Sequence, residues 1–170
     1  MAFILEDGTG VIGANAYISA AAMRSYWSDV GVTFTQTDPE LEISIVKATR
    51  YVETRYQGRW KGQMEFPETP QGLSWPRLYV LKVDAATCED YYEGVPPPLQ
   101  TAIAEYAQRA LTTTLLPDPT QDPFVTKERT KAGPIEEEVQ RLPGFQVFTP
   151  LPMADMALRP LIFTGSYTIR

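Results

Sequence analysis

The stretch DPELEISIVKATRYVETR, residues 38–55, decides the fold of this chain. It opens with Asp38 and Pro39, a pair typical of a helix start, because the carboxylate satisfies free amide groups and the proline has no amide to lose. Apolar residues then recur at helical spacing, at Leu41, Ile45, Ala48 and Val52. The stretch therefore predicts a long amphipathic helix that ends near Arg55.

Two further helices are predicted, one on each side of this stretch. Upstream, Asn15 is placed to cap a helix that runs through AYISAAAMRSYWSDV to a stop at Gly31. Downstream, the prolines at 96–98 precede an apolar stripe that ends before Pro117 and consists of Leu99, Ala102, Ile103, Tyr106, Ala107 and Ala110. We expect the third helix to pack on the second.

Residues 57–95 lack a helical period and are rich in glycine, proline and aromatic residues. A connection of this length is usually functional or disordered, and its aromatic content argues for order. We predict a long structured loop anchored by Trp60 and Trp75, whose large rings would pack against the helix pair. Pro76 restricts the preceding Trp75 to extended geometry and helps to set the direction of the loop.

The tail after Pro117 has a different character. FVTKERTK, residues 124–131, and IEEEVQ, residues 135–140, are predicted to form two short strands around a turn at Gly133 and Pro134. Residues 153–158 predict one more helical turn. The β-branched and aromatic bias of residues 161–169 predicts a terminal strand that could add to a partner's sheet, with the candidate interface residues Leu161, Ile162, Phe163, Tyr167 and Ile169.

These elements predict a mainly α fold: a small bundle of three to four helices with a long structured loop, a short β-hairpin and an extended C-terminal arm. At 170 residues the chain has the length of one domain. We assign residues 1–116 to a helical core that includes the loop, and residues 117–170 to a hairpin and arm of the same domain.

Composition excludes most catalytic chemistry. The chain has no histidine and a single cysteine, Cys88, which removes the common general base and metal ligand and every Ser-His-Asp or Cys-His arrangement. The adjacent Glu136, Glu137 and Glu138 cannot converge on one bond from a strand, and GTGVIG at 8–13 matches a dinucleotide-binding motif only loosely. We expect no enzyme activity, no cofactor and no metal, and the lone cysteine fits a reducing, cytosolic setting. The short apolar start also predicts no signal peptide or membrane span.

A basic cluster is the main candidate for a binding site: Lys47, Arg50, Arg55, Arg59 and Lys61. Tyr56 and Trp60 lie among these cations, and arginines interleaved with aromatics could clamp single-stranded nucleic acid. The other interpretation is that the cations cover the helix C-terminus and that Trp60 is buried. We favour the second, since a net charge of −6 opposes strong binding to phosphates.

An ordered series of motifs resembles a family of bacteriophage proteins. They are EDGTGVIGANAYISAAA (6–22), ATRYVETRYQGRWKG (48–62), QGLSWPR (71–77), GVPPPLQTAIAEYAQRA (94–110) and KERTKAGPIEEEV (127–139). In their order and spacing they are similar to the DnaT-like single-stranded-DNA-binding family, whose fold is that of head-tail adaptor (neck) proteins. The tail after Pro117 departs from the pattern, being rich in proline and less regular.

The resemblance implies a structural protein of the virion, made in the host cytoplasm and placed at the head-tail interface. Such adaptors form a ring, typically dodecameric, under the portal protein, extend the DNA channel and dock the next neck or tail-completion protein. The DNA would pass without specific binding through an acidic lumen, with Arg50, Arg55 and Arg59 turned toward subunit or core contacts. The alternative is a single-stranded nucleic-acid-binding module that uses the basic cluster.

Overall fold

The structure, a computed structural model, describes residues 2–67, 71–82, 90–115, 127–132, 135–140 and 151–163. The helices within these ranges are α1 (Ala20–Asp29), α2 (Asp38–Tyr56), α3 (Pro97–Ala110) and α4 (Pro152–Leu158), followed by a 3-10 turn at Arg159–Leu161. The antiparallel strand pairs are β1 (Gln63–Met64) with β2 (Arg77–Leu78), and β3 (Lys127–Ala132) with β4 (Ile135–Gln140). The predicted fold class, mainly α with a small helical core and a hairpin, is confirmed.

The chain divides into two compact units. One comprises residues 1–115 together with 150–170, and the other comprises residues 116–149. The sequence grouped the C-terminal residues with the hairpin, whereas in the structure α4 packs on α3 within the first unit. The second unit contains β3 and β4, whose register pairs Arg129 with Glu138 and Lys131 with Glu136.

The N-cap of helix α2 lies one residue earlier than predicted. Thr37, not Asp38, is the N-cap, and Pro39 lies in the first turn. The Glu40 carboxylate accepts hydrogen bonds from the backbone N–H and the hydroxyl of Thr37, both at 2.8 Å. This is a capping box, in which the residue three positions into the helix satisfies the cap.

Helix α1, by contrast, starts later than predicted. Ser19 is its N-cap and accepts a hydrogen bond from the N–H of Ala22 at 3.1 Å. The predicted cap, Asn15, instead bonds the N-terminal segment, accepting from the N–H of Ile4 at 3.0 Å and donating to the carbonyl of Ala2 at 2.7 Å. An asparagine satisfies loop backbone as readily as a helix end, and this context decides between them.

The core lies where α2, α3 and α4 meet. All the apolar positions predicted on α2 and α3 are buried, among them Leu41, Ile45, Leu99 and Ile103, which have no exposed surface. Fully burying one such side chain contributes roughly 1.5–3 kcal/mol before conformational entropy is subtracted. Among the described residues, no helix is both long and apolar enough to cross a membrane.

The N-terminal segment is held by a buried carboxylate. Glu6 is 2% exposed and accepts hydrogen bonds from the N–H groups of Gly8, Gly10 and Val11 at 2.8–2.9 Å. Three N–H donors satisfy the charge that burial would otherwise penalise. The glycines of the GTGVIG stretch therefore shape this turn around Glu6.

Two glycines with the same backbone angle should differ in their tolerance of alanine. Gly58 has φ +72° with open space around it, whereas a Cβ at Gly62, φ +71°, would collide with the Leu78 carbonyl oxygen and lie 2.6 Å from Val80 Cγ2. We expect Gly58→Ala to lower the free energy of unfolding by about 1 kcal/mol, the cost of the left-handed conformation alone. Gly62→Ala should cost at least about 2 kcal/mol, because overpacking adds to the same backbone cost.

Urea denaturation of both variants measures this difference. Equal losses would show that the loop around Gly62 yields without cost. The two strands β1 and β2 would then not be held close together by the rest of the loop.

Candidate functional site

The basic cluster divides into two parts in the structure. Lys47 and Arg50 are exposed on α2. Arg55, at the end of that helix, and Arg59 and Lys61, just after it, contact the C-terminal segment of the same chain. The cluster predicted from sequence is therefore not a single surface.

Arg55 is part of a polar node that joins three helices. Its guanidinium donates to the Tyr106 hydroxyl of α3 at 2.7 Å and lies 2.9 Å from the Asp155 carboxylate of α4. The same carboxylate accepts hydrogen bonds from the Tyr56 hydroxyl, at 2.8 Å, and from the Tyr106 hydroxyl. Asp155 thus receives donors from both α2 and α3, which fixes α4 against them.

The rings around Arg55 add a second kind of contact. The guanidinium carbon of Arg55 lies 5.8 Å from the Tyr51 ring centroid and 5.2 Å from that of Tyr56. The guanidinium carbon of Arg59 also lies 5.7 Å from the Tyr56 ring centroid. Cation–π contacts of this kind stabilise by roughly 0.5–2 kcal/mol, depending on how far they are desolvated. Arg55 therefore belongs to the scaffold of the subunit.

Burial, followed by the hydrogen bond to Asp155, raises the pKa of the Tyr56 hydroxyl to about 12. The same two causes raise the pKa of Tyr106. In both residues the neutral form, which donates to the carboxylate, is the form that the folded structure prefers. The folded state is consequently linked to the protonation of the two tyrosines.

We expect the free energy of unfolding to fall as the pH rises from about 10, the ordinary pKa of tyrosine, to about 12, the folded pKa of Tyr56. Below this window the tyrosine is neutral in both states and its contribution is fully present. Within the window it ionises only in the unfolded chain, which favours unfolding by up to ~1.4 kcal/mol per pH unit for each such tyrosine. Urea denaturation across this window measures the slope.

Tyr56→Phe is the control for this pH dependence, because it removes the titrating hydroxyl. The variant should lose stability less steeply with pH than the unaltered protein, although it is less stable at neutral pH. Equal slopes would contradict the link between Tyr56 and alkaline unfolding.

Arg59 and Lys61 hold the C-terminal segment through its backbone. The Lys61 N–H donates to the Leu161 carbonyl at 3.0 Å, and the Phe163 N–H donates to the Arg59 carbonyl at 2.9 Å. The Lys61 ammonium donates to the Pro160 carbonyl at 2.9 Å, and the Arg59 guanidinium to the Phe163 carbonyl at 3.4 Å. Charged groups close to the end of α2 are thus used to retain residues 160–163.

Both predicted anchor tryptophans are buried. Trp60 is 5% exposed and Trp75 is fully buried, and their rings meet edge to face with centroids 6.0 Å apart. Pro76, which follows Trp75 through a cis peptide bond, is buried too. Trp60 also pairs with Ile162 in an isolated β-bridge, so the two rings join the loop to the C-terminal segment.

Glu53 of α2 ties the loop to the N-terminal segment. Its two carboxylate oxygens accept hydrogen bonds from the Tyr17 hydroxyl and the Ser74 hydroxyl, each at 2.5 Å. The Tyr17 oxygen in turn accepts from the N–H of Trp75 at 3.2 Å. Burial, and then the nearby Glu53 charge, raises the pKa of Tyr17 well above its usual value, so its hydroxyl stays a donor.

Arg77 closes the two sides of the loop on each other. Its guanidinium donates to the carbonyls of Lys61 at 2.7 Å, Gly62 at 2.8 Å and Ser74 at 3.2 Å. One planar fork of donors therefore spans the residues that precede β1 and those that precede β2. The described residues on both sides of this fork are therefore held by contacts within the chain itself.

The described part of the loop exposes apolar side chains to solvent. They are Met64, Leu78, Tyr79 and Leu81, of which Tyr79 is the most exposed at 65%. Tyr79 also has a φ of +63°, which is uncommon for a residue other than glycine. Its ring meets that of Tyr91 edge to face at 6.0 Å. We call Met64, Leu78, Tyr79 and Leu81 the loop patch.

The residues predicted to bind a partner are only partly at the surface. Leu161 and Ile162 are buried in the core of the first unit, and Leu161 lies in the 3-10 turn rather than in a strand. Phe163 is 41% exposed. Tyr167 and Ile169 lie outside the described residues. A docking role for this stretch stays a prediction, and the two buried side chains serve the subunit itself.

Sequence reasoning missed the polar partners of the cluster. Asp155 is a hundred residues from Arg55 along the chain, and no local pattern connects an acid in a short helix with an arginine at that distance. Glu53 gave no signal either, because it lies among other charged residues of α2. In the part of the chain that is described, no group of three or more cysteine and acidic side chains is placed to hold a metal ion.

Comparison with known proteins gives one match. No significant match was found among the curated proteins or among the solved structures. The model of the family described as "Putative DnaT-like ssDNA binding protein" matches residues 1–170, so this chain belongs to that family.

Proposed function

We propose that this protein is a structural subunit of a bacteriophage virion, a head-tail adaptor that forms a ring under the portal, extends the DNA channel and docks the next neck or tail protein. The observation that carries the proposal is the loop patch, whose neighbours Trp75 and Arg77 are held in place by contacts within the chain. Exposed apolar residues on a rigid support are typical of a protein-docking surface, since no ordering cost remains to be met on binding.

The use of the basic cluster also favours assembly over nucleic-acid binding. Sequence-independent binding of single strands needs exposed aromatic faces on which bases stack, together with cations that follow the backbone. Trp60 and Trp75 are buried, and Arg55 is bonded to Tyr106 and Asp155. The residues that suggested a clamp are largely engaged in holding the subunit together.

The charge of the chain fits a channel through which DNA slides. A net charge of −6 in each subunit would give a ring of subunits a strongly negative total. Phosphates are repelled by an acidic wall, so the genome would pass without sticking. A dodecameric ring, the portal contact and the virion location are carried by the resemblance of the motifs to adaptor proteins.

A single-stranded nucleic-acid-binding module is the second candidate, and the description of the family favours it. The residues available to it are Lys47, Arg50 and Arg59, which are exposed, and the exposed ring of Tyr79. This candidate predicts affinity for oligonucleotides that weakens steeply with salt, because counterions are released on binding.

Two measurements on the full chain separate the candidates. For an adaptor, electron microscopy of the protein mixed with its cognate portal shows a ring, and fluorescence anisotropy shows negligible affinity for oligonucleotides at any salt concentration. A reconstruction in which Arg50 and Arg59 line the channel would overturn the proposed lumen. Tight, salt-sensitive binding that is lost in Lys47→Ala/Arg50→Ala would favour the nucleic-acid module.

A substitution at Tyr79 tests the docking role of the loop patch. Tyr79→Ser removes the most exposed apolar ring while leaving the buried anchors in place. In an adaptor it should weaken capture of the next neck or tail protein by the assembled ring. Met156→Ser is the matched control, because Met156 is 61% exposed on α4, apart from the loop. Equal capture by both variants would remove the loop patch from the docking surface.

A further inference from the structure

One side of α2 faces solvent along most of its length. It carries Glu40, Ile43, Lys47, Arg50 and Thr54, all exposed. Because each residue advances about 100° around a helix, these five positions fall within an arc of about 80°. Ile43 lies in this arc with 57% of its surface exposed. We call these five residues the α2 face.

The positions on the α2 face are symmetric about position 45, and the outer two carry opposite charges. Glu40 and Arg50 lie five residues before and after it, and Ile43 and Lys47 lie two residues before and after it. Glu40 and Arg50 are therefore about 15 Å apart along the helix, with the aliphatic residue and the lysine between them. An acid and a base at equal distances from one point make a surface complementary to its own antiparallel copy.

We propose that the α2 face binds a second copy of this chain, with the two α2 helices antiparallel and related by a two-fold axis near position 45. In this arrangement Glu40 of each subunit meets Arg50 of the partner subunit. Ile43 packs under the aliphatic stem of Lys47 of the partner subunit, whose ammonium group remains in water. A two-fold contact requires one patch that is complementary to itself, and the α2 face meets this requirement.

Charge complementarity identifies a second copy as the occupant rather than nucleic acid. A phosphate-binding face would be basic throughout, whereas the α2 face begins with a carboxylate and contains an exposed aliphatic residue. The Thr37 N–H, followed by its hydroxyl, lowers the pKa of Glu40, so the acid is ionised at neutral pH. The surface is therefore bipolar under ordinary conditions.

The contact goes beyond the proposed function. A two-fold contact closes on itself and cannot generate a ring, so it pairs free subunits or joins two assemblies face to face. One helix face is small compared with the roughly 1,200 Å² of a standard stable interface. The association is therefore weak, rises with protein concentration and is weakened by salt.

The test uses sedimentation equilibrium of the full chain without portal, at low salt and over a range of concentrations. The unaltered protein should approach a dimer. Glu40→Arg and Arg50→Glu should each weaken self-association by at least about tenfold, because each places two like-charged pairs across the two-fold axis. An equimolar mixture of the two variants should restore dimers. In the mixed dimer the introduced arginine faces the introduced glutamate, and the native Arg50 of one subunit faces the native Glu40 of the other.

Matched variants keep the outcome decisive. Glu42→Arg makes the same change of charge on the same helix but off the α2 face, and should dimerise like the unaltered protein. Ile43→Asp should abolish the dimer without touching the capping box. The melting temperature of each variant confirms that it is folded, which matters for Glu40 because it bonds Thr37.

Three results would overturn the proposal. The first is a monomer at every concentration. The second is a mixture of the two charge variants that stays monomeric although both are folded. The third is that the unaltered protein binds oligonucleotides, that Arg50→Glu abolishes this binding, and that no dimer forms. A ring with portal can form or fail independently of all three, so the adaptor function is judged separately.

Discussion

Trp75→Ala should lower the free energy of unfolding by about 3–5 kcal/mol, the range for truncating a buried tryptophan. Its side chain has no exposed surface and meets Trp60 edge to face. Removing it opens a cavity beside Trp60 and takes away the ring against which Trp60 packs. Urea denaturation measures the loss, and hydrogen exchange should be faster across residues 57–67 and 71–82 in particular.

Tyr79→Ala is the control for this loss, because it truncates an aromatic residue of the same loop that is 65% exposed. It should change stability by no more than about 0.5 kcal/mol, as surface substitutions do. A Trp75→Ala protein within about 1 kcal/mol of the unaltered one would show that the loop is held by Arg77 and Glu53 alone. Trp60 and Trp75 would then occupy space in the core without fixing the position of the loop.

Asp155→Ala should destabilise the protein by about 2–4 kcal/mol, because it leaves Arg55 without its opposite charge and two tyrosine hydroxyls without their acceptor. The Asp155 side chain is 25% exposed and that of Arg55 16% exposed, so water offsets part of the loss. Thermal and urea unfolding give the magnitude.

A double-mutant cycle with Arg55→Leu isolates the pair. The destabilisation of the combined variant should be smaller than the sum of the two single losses, because the second change removes the charge whose carboxylate partner the first removed. Met156→Ala, at an exposed position of the same helix, should have little effect. Additive losses would mean that the two residues stabilise the fold independently.

The helices could be predicted because their signals are local. In α2 and α3 the apolar residues that were predicted from the helical period are all buried, so pattern and packing agree. The first residue of a helix is harder to predict, because several polar residues compete for the cap. Asn15 bonds Ile4 while Ser19 caps α1, and Thr37 rather than Asp38 caps α2.

The candidate site was only half predictable, for a physical reason. The burial of Trp60 and Trp75 followed from their size and from the irregular loop around them. The fate of Arg55 did not follow, because it depends on Asp155, which the tertiary fold alone brings near. Spacing along the chain likewise could not show that Lys47 and Arg50 point to solvent while Arg55 turns toward α3 and α4.

The discontinuity of the first compact unit sets the order in which the chain can fold during synthesis. Residues 1–115 leave the ribosome well before Asp155, which bonds Tyr56 and Tyr106, and before Leu158 and Leu161, whose elements pack on α3. Until they arrive, Tyr56 and Tyr106 lack their acceptor and part of the α3 surface stays open to water. Local helix pairing can precede this step, but closure of the core must wait for contacts of long sequence separation. A nascent chain stalled after α3 should therefore be a target for chaperones, whereas the complete chain should not.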